Sequence, residues 1–451
     1  MTDTRTAPTR SRAARRRATR TRWRNWGGNQ QCVPAAVVRP TTLDDLVRTV
    51  KAAAAEGRRV KAVGAAHSFT DTACTSGTMV ELDGYGRLLR YDRDSATATV
   101  QSGIPLARLS RELGARGLAL PNLGDVAYQT ISGAVSTGTH GTGIRLGGLA
   151  TQIVGLEMVT ADGSVLTCSA SEEPEVLAVA RVGLGALGVI SALTLQCVPA
   201  FHLRAVEEPM RVDAVLESLD ELVEGNDHFE FYWVPHTGWA LTKRNNRTED
   251  PVGGRGRWRE LRDRVLFENV LFGAICRLGR MRPEWIPRLA RLAPGSGRSE
   301  YVEASWRVFT SPRLVHFVEM EYSIPRHQAV TAVQRLRSFV DESGLLISFP
   351  VEVRFTAGDD IPLSTAHGSE RCYIAIHVYR GMQHEQYFRG VEQIMWDLGG
   401  RPHWGKLHYQ TAVTLAGRYP EWDRFQAVRR RLDPEGRFAN TYTERVLGPV
   451  G

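Results

Sequence analysis

A histidine stands among unusually small residues in the stretch VGAAHSF. His67 follows Gly64, Ala65 and Ala66 and precedes Ser68, and residues 64–68 are called the histidine loop below. Small residues let a backbone approach a bound molecule closely, and successive amide groups in such a loop can hold an anion. The imidazole could then act as a nucleophile toward that molecule. The simpler alternative is a structural histidine held by hydrogen bonds within the protein.

A second candidate binding segment is ISGAVSTGTHGTG, residues 131–143, which we call the threonine segment. Its thirteen residues include four glycines and five serines or threonines. Bare N–H groups and hydroxyls of this kind suit a phosphate or a ribose. The alternative is a flexible surface loop, although Ile131, Ala134 and Val135 would anchor the segment in a core.

A third segment, GLGALG at 183–188, matches the G-x-G-x-x-G pattern of dinucleotide-binding turns. Such a turn must follow a strand and open a helix. Here the order is reversed, because helix-like EPEVLAVAR precedes it and strand-like VISALTLQCV follows. We therefore predict a tight helix-to-strand turn, the glycine turn, whose backbone faces a ligand.

A carboxylate and a guanidinium share one face of a predicted strand at SFPVEVRF, residues 348–355. Alternation directs the apolar side chains to one face and Glu352 and Arg354 to the other. A carboxylate can accept a proton, and a guanidinium can stabilise a developing oxyanion. The alternative is a solvated ion pair on a sheet surface.

Regular elements must position these residues. TTLDDLVRTVKAAAAEG predicts a helix capped by Thr42 with Asp45 and ended by Gly57. A strand from RRVKAVG then enters the histidine loop. IPLARLSRELGARG predicts a second helix, and IVGLEMVTADGSVLTC predicts a hairpin that turns at Ala161, Asp162 and Gly163. Longer strands are predicted after residue 201, at DHFEFYWVPHT and LVHFVEMEYSIP, with a basic helical segment at about 254–293.

The net charge of +8 comes entirely from the N-terminus. Residues 1–24 carry nine arginines and one acid, Asp3, so the remaining residues balance to zero. Such a tail lacks the apolar residues needed to order itself or to act as a signal peptide. Non-specific nucleic-acid contact by the tail stays open. No apolar run reaches the length of a membrane-spanning helix, so we predict no transmembrane segment.

The six cysteines are scattered, and no Cys-x-x-Cys pair occurs among them. This spacing argues against a disulfide framework and against a structural zinc site. We therefore expect a reducing cytoplasm and no metal.

The glycine-rich segments together resemble the FAD-binding domain of the vanillyl-alcohol-oxidase superfamily. The stretches that carry this resemblance are the histidine loop, STGTHGTG and GALGVI. Five others resemble the sugar-lactone (aldonolactone) oxidase branch: WRNWGGNQQCVPAAVVRPTTLDDL, DHFEFYWVPHT, the EVR of 352–354, HWGK at 403–406 and DPEGRFANTY at 433–442. The resemblance runs from about residue 23 to the end.

The resemblance implies FAD, linked covalently through His67, because relatives join a histidine at this loop position to the flavin 8α-methyl carbon. It also implies a set of cofactor-binding residues. These are Val63, Gly64, Ala65, Ala66, His67, Ser68, Gly124, Asp125, Thr130, Gly133, Thr137, Gly138, Thr139, His140 and Val189.

Catalytic roles follow from the same resemblance. Glu352 would position the substrate hydroxyl and accept its proton, and Arg354 would stabilise the oxyanion. Lys406 would supply a second fixed cation, and His403 would orient it. In related dehydrogenases, an alanine at the position of Gly124 blocks oxygen from the flavin. A glycine leaves that path open, which favours an oxidase.

The expected function is FAD-dependent oxidation of the C2 hydroxyl of an aldono-1,4-lactone, such as L-gulono-, D-arabinono- or L-galactono-lactone, with O₂ converted to H₂O₂. An alditol oxidase acting on xylitol or sorbitol is one alternative, and a dehydrogenase with another acceptor is a second. A third is a nucleic-acid-binding protein with an inert flavin fold, although we expect no specific nucleic-acid partner.

The expected fold class is α+β, with an FAD-binding domain in two parts and a mixed α+β cap domain. We predict a disordered basic tail at 1–22, the FAD-binding domain at 23–200 and the substrate (cap) domain at 201–400. Residues 401–451 should return to the active-site region.

Overall fold

The computed structural model describes residues 22–254, 270–291 and 297–450. The predicted disordered tail lies outside the described residues, apart from residue 22. Part of the predicted basic helical segment, residues 255–269 and 292–293, also lies outside them.

The strands are short in the N-terminal part and longer in the centre. They are β1 (Trp23–Arg24), β2 (Gln31–Cys32), β3 (Ala36–Val38), β4 (Val60–Val63), β5 (Thr78–Glu81), β6 (Leu88–Asp92), β7 (Thr97–Gln101), β8 (Leu118–Ala119), β9 (Ile153–Val159), β10 (Val165–Ser169), β11 (Val189–Gln196), β12 (Val198–Pro199), β13 (His202–Arg211), β14 (His228–Trp233), β15 (Trp239–Thr248), β16 (Ser299–Ala304), β17 (Phe317–Pro325), β18 (Val351–Thr356), β19 (Arg371–Tyr379) and β20 (Arg401–Pro402).

The helices lie between groups of these strands, and the last three follow the final strand. They are α1 (Leu43–Ala55), α2 (Leu106–Gly114), α3 (Ile131–Ser136), α4 (Pro174–Ala180), α5 (Val212–Glu217), α6 (Leu219–Glu224), α7 (Phe272–Met281), α8 (Ile286–Ala290), α9 (Ser305–Phe309), α10 (Ala329–Ser343), α11 (Glu385–Asp397), α12 (Ala412–Ala416), α13 (Trp422–Leu432) and α14 (Thr441–Leu447). The mixed α+β class predicted from the sequence is confirmed.

A parallel sheet of order β3-β5-β4 delivers the histidine loop. Helix α1 precedes β4 and begins with the predicted capping box, in which the side chain of Thr42 accepts from the Asp45 amide. Gly57 follows the helix with φ 64°, a left-handed conformation that favours glycine. Strand β4 ends at Val63, so residues 64–68 leave the carboxyl edge of this sheet.

A second sheet, β10-β9-β11-β7-β6, carries the glycine turn. The predicted hairpin is confirmed as β9 and β10, with Gly163 at φ 78° in the turn. The glycine turn connects helix α4 to strand β11, which confirms the reversed order predicted for GLGALG.

The central part forms an eight-stranded antiparallel sheet of order β16-β13-β15-β14-β18-β19-β17-β20. Its two faces differ in chemistry, because side chains alternate along each strand. One face carries apolar residues such as Phe231, Val353 and Ile376, which share a core with residues of α10 and α11. The opposite face of β14, β18, β19 and β17 is polar.

The C-terminal residues return to the N-terminal part of the fold. Trp404, Phe425 and Tyr442 belong to the same hydrophobic core as Leu109 and Ile131. Residues Arg401–Pro402 still pair with β17 as the edge strand of the large sheet. The four-part domain division stays our proposal, and this shared core supports it. Within the described residues, no helix is long and apolar enough to span a membrane.

Candidate active site and cofactor cleft

A cleft of about 870 Å³ lies between the histidine loop, the threonine segment and the glycine turn. The predicted cofactor-binding residues on its wall are Val63, Gly64, Ala65, Ala66, His67, Ser68, Thr130, Gly133 and Thr137. Three separate parts of the sequence therefore meet at one site.

The histidine loop offers unused backbone donors to this cleft. The amides of Ala65, Ala66, His67 and Ser68 donate to no other group of the described chain. Ala66 has φ 58°, and a left-handed residue in such a loop turns successive N–H groups toward one point. This arrangement fits an anion such as the diphosphate of FAD.

Two further features of the loop fit a bound cofactor. Thr130 Oγ1 is buried on the cleft wall and has no hydrogen-bond partner in the described chain. A Cβ at Gly64 would lie 2.0 Å from that oxygen, so only glycine brings the loop this close to the threonine segment. A buried polar atom without a partner is costly, and a ligand hydroxyl or phosphate would satisfy it.

The glycine turn contributes backbone to the opposite side of the cleft. Leu184, Gly185, Gly188 and Ile190 line the cleft. The side chain of Val189 lies instead in the core, 1% exposed. Strand alternation places the neighbours of Val189, and not its own side chain, on the cleft wall.

The remaining predicted cofactor residues lie off the wall of this cleft. Thr139 accepts a hydrogen bond from Gln129 Nε2 at 3.3 Å, and Gly138 follows helix α3 with φ 78°. A Cβ on Gly124 would lie 3.0 Å from the carbonyl oxygen of His140 and 3.2 Å from Thr139 Cγ2. Gly124 therefore packs closely against the threonine segment.

His67 sits in an aromatic pocket at one end of the cleft. Its ring centroid is 5.3 Å from Trp26 and 6.3 Å from Tyr128. Burial, together with the charges of Lys406 and His316, lowers the pKa of His67 to about 4. The imidazole is therefore neutral at physiological pH and keeps a free lone pair, which a nucleophile requires.

The HWGK turn, residues 403–406, packs directly on the histidine loop. Phe69 N–H donates to the Gly405 carbonyl at 2.7 Å, and Tyr442 Oη donates to the Trp404 carbonyl at 2.7 Å. A Cβ on Gly405 would lie 3.4 Å from both Ser68 Oγ and Thr137 Oγ1. The predicted catalytic residues of this turn thus lie beside the cofactor cleft.

Glu352 and Arg354 lie on the polar face of β18, as predicted, but they are buried. Their exposed fractions are 6% and 8%, so they do not form a solvated surface pair. Strand β14 lies beside them, with Glu230 opposite Arg354 and Tyr232 opposite Glu352. Arg354 Nε donates to Glu230 at 2.7 Å, and its Nη2 contacts Glu352. Tyr232 Oη lies 3.1 Å from Glu352.

Burial shifts the protonation of this cluster. The pKa of Glu352 is raised, because desolvation and the nearby charges of Asp125 and Glu230 outweigh the attraction of Arg354. Desolvation also raises the pKa of Asp125, but the charges of Arg313 and Arg354 outweigh it, so the pKa of Asp125 is lowered. Glu352 is therefore the carboxylate of the cluster best suited to take up a proton.

A chain of polar side chains connects Glu352 to Lys406 across the sheet. Lys406 Nζ lies 2.5 Å from Glu319, and His377 Nε2 lies 3.5 Å from Glu319 and 4.0 Å from Glu352. Burial opposes the charge of Lys406, but Glu319 and Glu321 outweigh it and raise the pKa of the ammonium. Lys406 is therefore a fixed cation beside the cleft.

His140, Glu321 and His403 form a buried trio whose ligand atoms lie within 4.8 Å of one another. His140 donates through Nδ1 to the Gly141 carbonyl at 2.8 Å, while its Nε2 faces Glu321 at 3.1 Å. His140 and His403 outweigh desolvation and hold the pKa of Glu321 well below its usual range. The Glu321 carboxylate therefore stays charged, and it faces the His140 ring.

Hydrogen bonding also fixes His403. Its Nδ1 accepts from the Gly405 amide at 3.0 Å, and burial lowers its pKa to about 4. The neutral ring thus carries its proton on Nε2. Because Nδ1 of each ring is already engaged by the backbone, we interpret the trio as a hydrogen-bonded cluster and not as a metal site.

A second cavity has Arg354 on its wall. Asp125, Glu230, Tyr232, Asn245 and Arg354 are on its wall. Asp125 also forms an ion pair with Arg313, and its carbonyl accepts from the Ser311 amide at 3.1 Å. Asp125 therefore belongs to this cavity and not to the cofactor cleft.

Sequence reasoning missed several members of the site. Glu230, Tyr232, Glu319, Glu321 and His377 were not predicted as functional residues. A signal was present, because each alternates with apolar residues on its strand, as in HFEFYW and FVEMEY. Alternation alone cannot tell a polar face in solvent from a polar face covered by another domain.

The comparisons with known proteins match this geometry. The FAD binding domain family model matches residues 34–169, and the D-arabinono-1,4-lactone oxidase model matches residues 193–446. The structure of cholesterol oxidase from B. sterolicum superposes with a TM-score of 0.80 at 17% identity, and the match covers 95% of this chain and 96% of that chain. That likeness concerns the fold.

Two relatives are similar along nearly their whole length. L-gulono-1,4-lactone dehydrogenase of Mycobacterium tuberculosis is 50% identical over 95% of this chain and 99% of its own. L-gulonolactone oxidase of Bos taurus is 36% identical over 94% and 98%. The fold and the site thus define an FAD-linked oxidoreductase of the vanillyl-alcohol-oxidase type. Within that class, the chain belongs to the aldonolactone oxidase family.

Proposed function

We propose that this protein oxidises the C2 hydroxyl of an aldono-1,4-lactone and passes the electrons to O₂, giving H₂O₂. The observation that carries the proposal is a buried group formed by Glu352, Arg354 and Tyr232. The same face of the sheet also carries Glu319, which pairs with Lys406. This group supplies a proton acceptor and fixed cations, which oxidation of an alcohol requires.

Glu352 is the residue that takes the hydroxyl proton. The upward shift moves the pKa of Glu352 toward the pH at which the enzyme works, and a general base is most effective when these two values are close. Tyr232 donates to it and holds its orientation. FAD, when bound, supplies the acceptor for the hydride that leaves the same carbon.

Arg354 and Lys406 stabilise negative charge that develops during the reaction. Arg354 is held from two sides by Glu230 and Glu352, so its guanidinium is already oriented before substrate arrives. Lys406 is held by Glu319 next to the histidine loop. Cations fixed in advance in a buried site stabilise an oxyanion without reorganising.

The charge balance of the site favours an uncharged, hydroxylated substrate. The cations Arg313, Arg354 and Lys406 are each paired with carboxylates. An ionic substrate would have to displace one of these pairs. The cavity beside Arg354 is lined by polar side chains such as Asn245 and Tyr232, which suit the hydroxyl groups of a lactone.

Covalent attachment of FAD through His67 is part of the proposal. The neutral imidazole lies at the end of the cleft, beside the loop whose free amides suit the diphosphate. The rings of Trp26 and Tyr128 pack beside it. His67 can therefore present its lone pair to the edge of the flavin ring while the amides of the same loop bind the diphosphate.

O₂ is proposed as acceptor because Gly124 lacks a side chain at the position where an alanine blocks oxygen in related dehydrogenases. A second candidate is a dehydrogenase that uses another acceptor. It is favoured by the 50% identity to a protein named as a dehydrogenase. The close packing of Gly124 on His140 gives this glycine a structural role as well.

The test combines a substrate panel with two acceptors. Flavin bleaching is followed without oxygen for L-gulono-, D-arabinono- and L-galactono-lactone, with xylitol and sorbitol for comparison. The reduced protein is then mixed with O₂ or with an artificial dye. We expect fast bleaching by a lactone and stoichiometric H₂O₂.

Each part of the proposal can fail separately in this test. Faster bleaching by the polyols would show an alditol oxidase. Bleaching by a lactone followed by reoxidation with dye but not with O₂ would show the dehydrogenase. The absence of bleaching by every compound would remove the substrate assignment while leaving the flavin site intact.

A further inference from the structure

Lys61 is a buried cation that the reaction does not use. It lies on strand β4, just before the histidine loop, and is 2% exposed. Its Nζ donates to the carbonyls of Gly185 at 3.1 Å and Phe438 at 3.0 Å, with a longer contact to Leu184 at 3.4 Å. Buried lysines normally have a carboxylate partner, and none forms an ion pair with Lys61 within the described chain.

Lys61 is one of the residues that line the cofactor cleft. Among the described residues that line this cleft, Lys61 is the one with a formal charge, because His67 is neutral. FAD brings two negative charges in its diphosphate. The free amides of the histidine loop can donate hydrogen bonds to these phosphates, but they carry no net charge to balance them.

We propose that Lys61 is the counter-cation of the FAD diphosphate and ties the glycine turn and the C-terminal segment to the cofactor. The three carbonyls occupy the three protons of the ammonium, so its action on the phosphates is electrostatic and acts across the cleft wall. In a buried site this attraction is screened far less than on a surface.

The groups around Lys61 make its protonation sensitive to a bound anion. Burial and the nearby guanidinium of Arg429 lower its pKa to about 7, against the attraction of Asp433 and Asp71. Asp433 is itself engaged by the amides of Arg437 and Phe438. Without the diphosphate the lysine is thus partly neutral, and the phosphates would return it to the charged form.

Binding is measured in the full-length His67→Ala chain, where flavin can be exchanged. Lys61→Met removes the charge and keeps the length, while Lys61→Gln is neutral but keeps N–H donors for the carbonyls. We expect both changes to weaken FAD binding about tenfold or more, the effect of one pKa unit. Riboflavin lacks the diphosphate, so the same two substitutions should change its dissociation constant less than about twofold. Lys51→Met, on the exposed face of α1, is the matched control.

Equal weakening for FAD and riboflavin would overturn the proposal, because it would show that Lys61 only shapes the fold. Unchanged FAD binding in both variants would overturn it as well. These outcomes do not depend on which substrate is oxidised.

A second measurement keeps Lys61 in place and needs no variant at that position. Calorimetry at pH 8 in buffers of different ionisation enthalpy reports protons taken up on binding. When FAD binds to the His67→Ala chain, the protein should take up a large fraction of one proton. When riboflavin binds, it should take up none. FAD binding without proton uptake at pH 8 would contradict the proposal.

Discussion

Replacing Arg354 by alanine should slow reduction of the flavin by roughly a hundred- to a thousandfold. Arg354 is 8% exposed and contacts Glu230 at 2.7 Å, Asp125 at 3.6 Å and Glu352. Loss of one preorganised group that stabilises transition-state charge costs about 3–4 kcal/mol. Arg354→Lys keeps the charge but not the forked geometry, so it should recover only part of the rate.

The same change should also move the pH dependence. Arg354 is the strongest influence that lowers the pKa of Glu352, against desolvation. Without it the pKa rises further, and the base is unprotonated only at higher pH. The rate of flavin reduction in Arg354→Ala should therefore increase toward alkaline pH, over a range where the wild-type rate has already reached its plateau.

The assay is anaerobic rapid mixing with a lactone at a series of pH values, which separates reduction from the oxygen step. Arg244→Ala is the matched control. Arg244 lies on β15, which pairs with β14, and it is opposite Phe229, on the face away from Glu230. Melting temperatures show whether each variant is folded. A folded Arg354→Ala protein that is reduced at the wild-type rate would refute the catalytic assignment.

Three other changes test separate parts of the site. His67→Ala should release its flavin on acid precipitation, whereas the wild-type pellet should stay yellow; free FAD from the wild type would contradict the covalent link. Tyr232→Phe removes a hydrogen bond to Glu352, worth about 1.5–3 kcal/mol for a charged acceptor, and should slow reduction roughly ten- to a hundredfold. Gly124→Ala should slow reoxidation by O₂ more than by a dye. Gly148→Ala, whose Cβ would lie 3.3 Å from the Thr139 carbonyl, presses on the same segment and should leave the ratio of the two rates unchanged.

Much of the fold could be predicted from local chemistry. The capping box at Thr42, the turn at Gly163 and the alternation of β18 are decided by residues close in sequence. The sheet order could not be predicted in this way. The residues of DHFEFYW do not indicate that β14 pairs with β18, because strand pairing depends on contacts between residues far apart in the sequence.

The site was predictable where a motif carries its own geometry. The histidine loop lines the cleft, as predicted, because the small residues around His67 let the backbone approach a ligand closely. Val189 could not be placed, because which side of β11 faces the cleft depends on the sheet packing around it. Lys61 gave no signal, since one lysine in a strand looks like an ordinary surface charge.

The proposed catalytic residues form one unit because four neighbouring strands present the same polar face. Arg354 and Glu352 connect through His377 and Glu319 to Lys406, so two motifs that lie about fifty residues apart meet in one charge network. Groups in such a network do not act independently. Changing Arg354 alters the pKa of Glu352, and Glu319 in turn holds Lys406 beside the histidine loop. The proton acceptor and the cation near the cofactor are thus adjusted together, which no single motif could reveal.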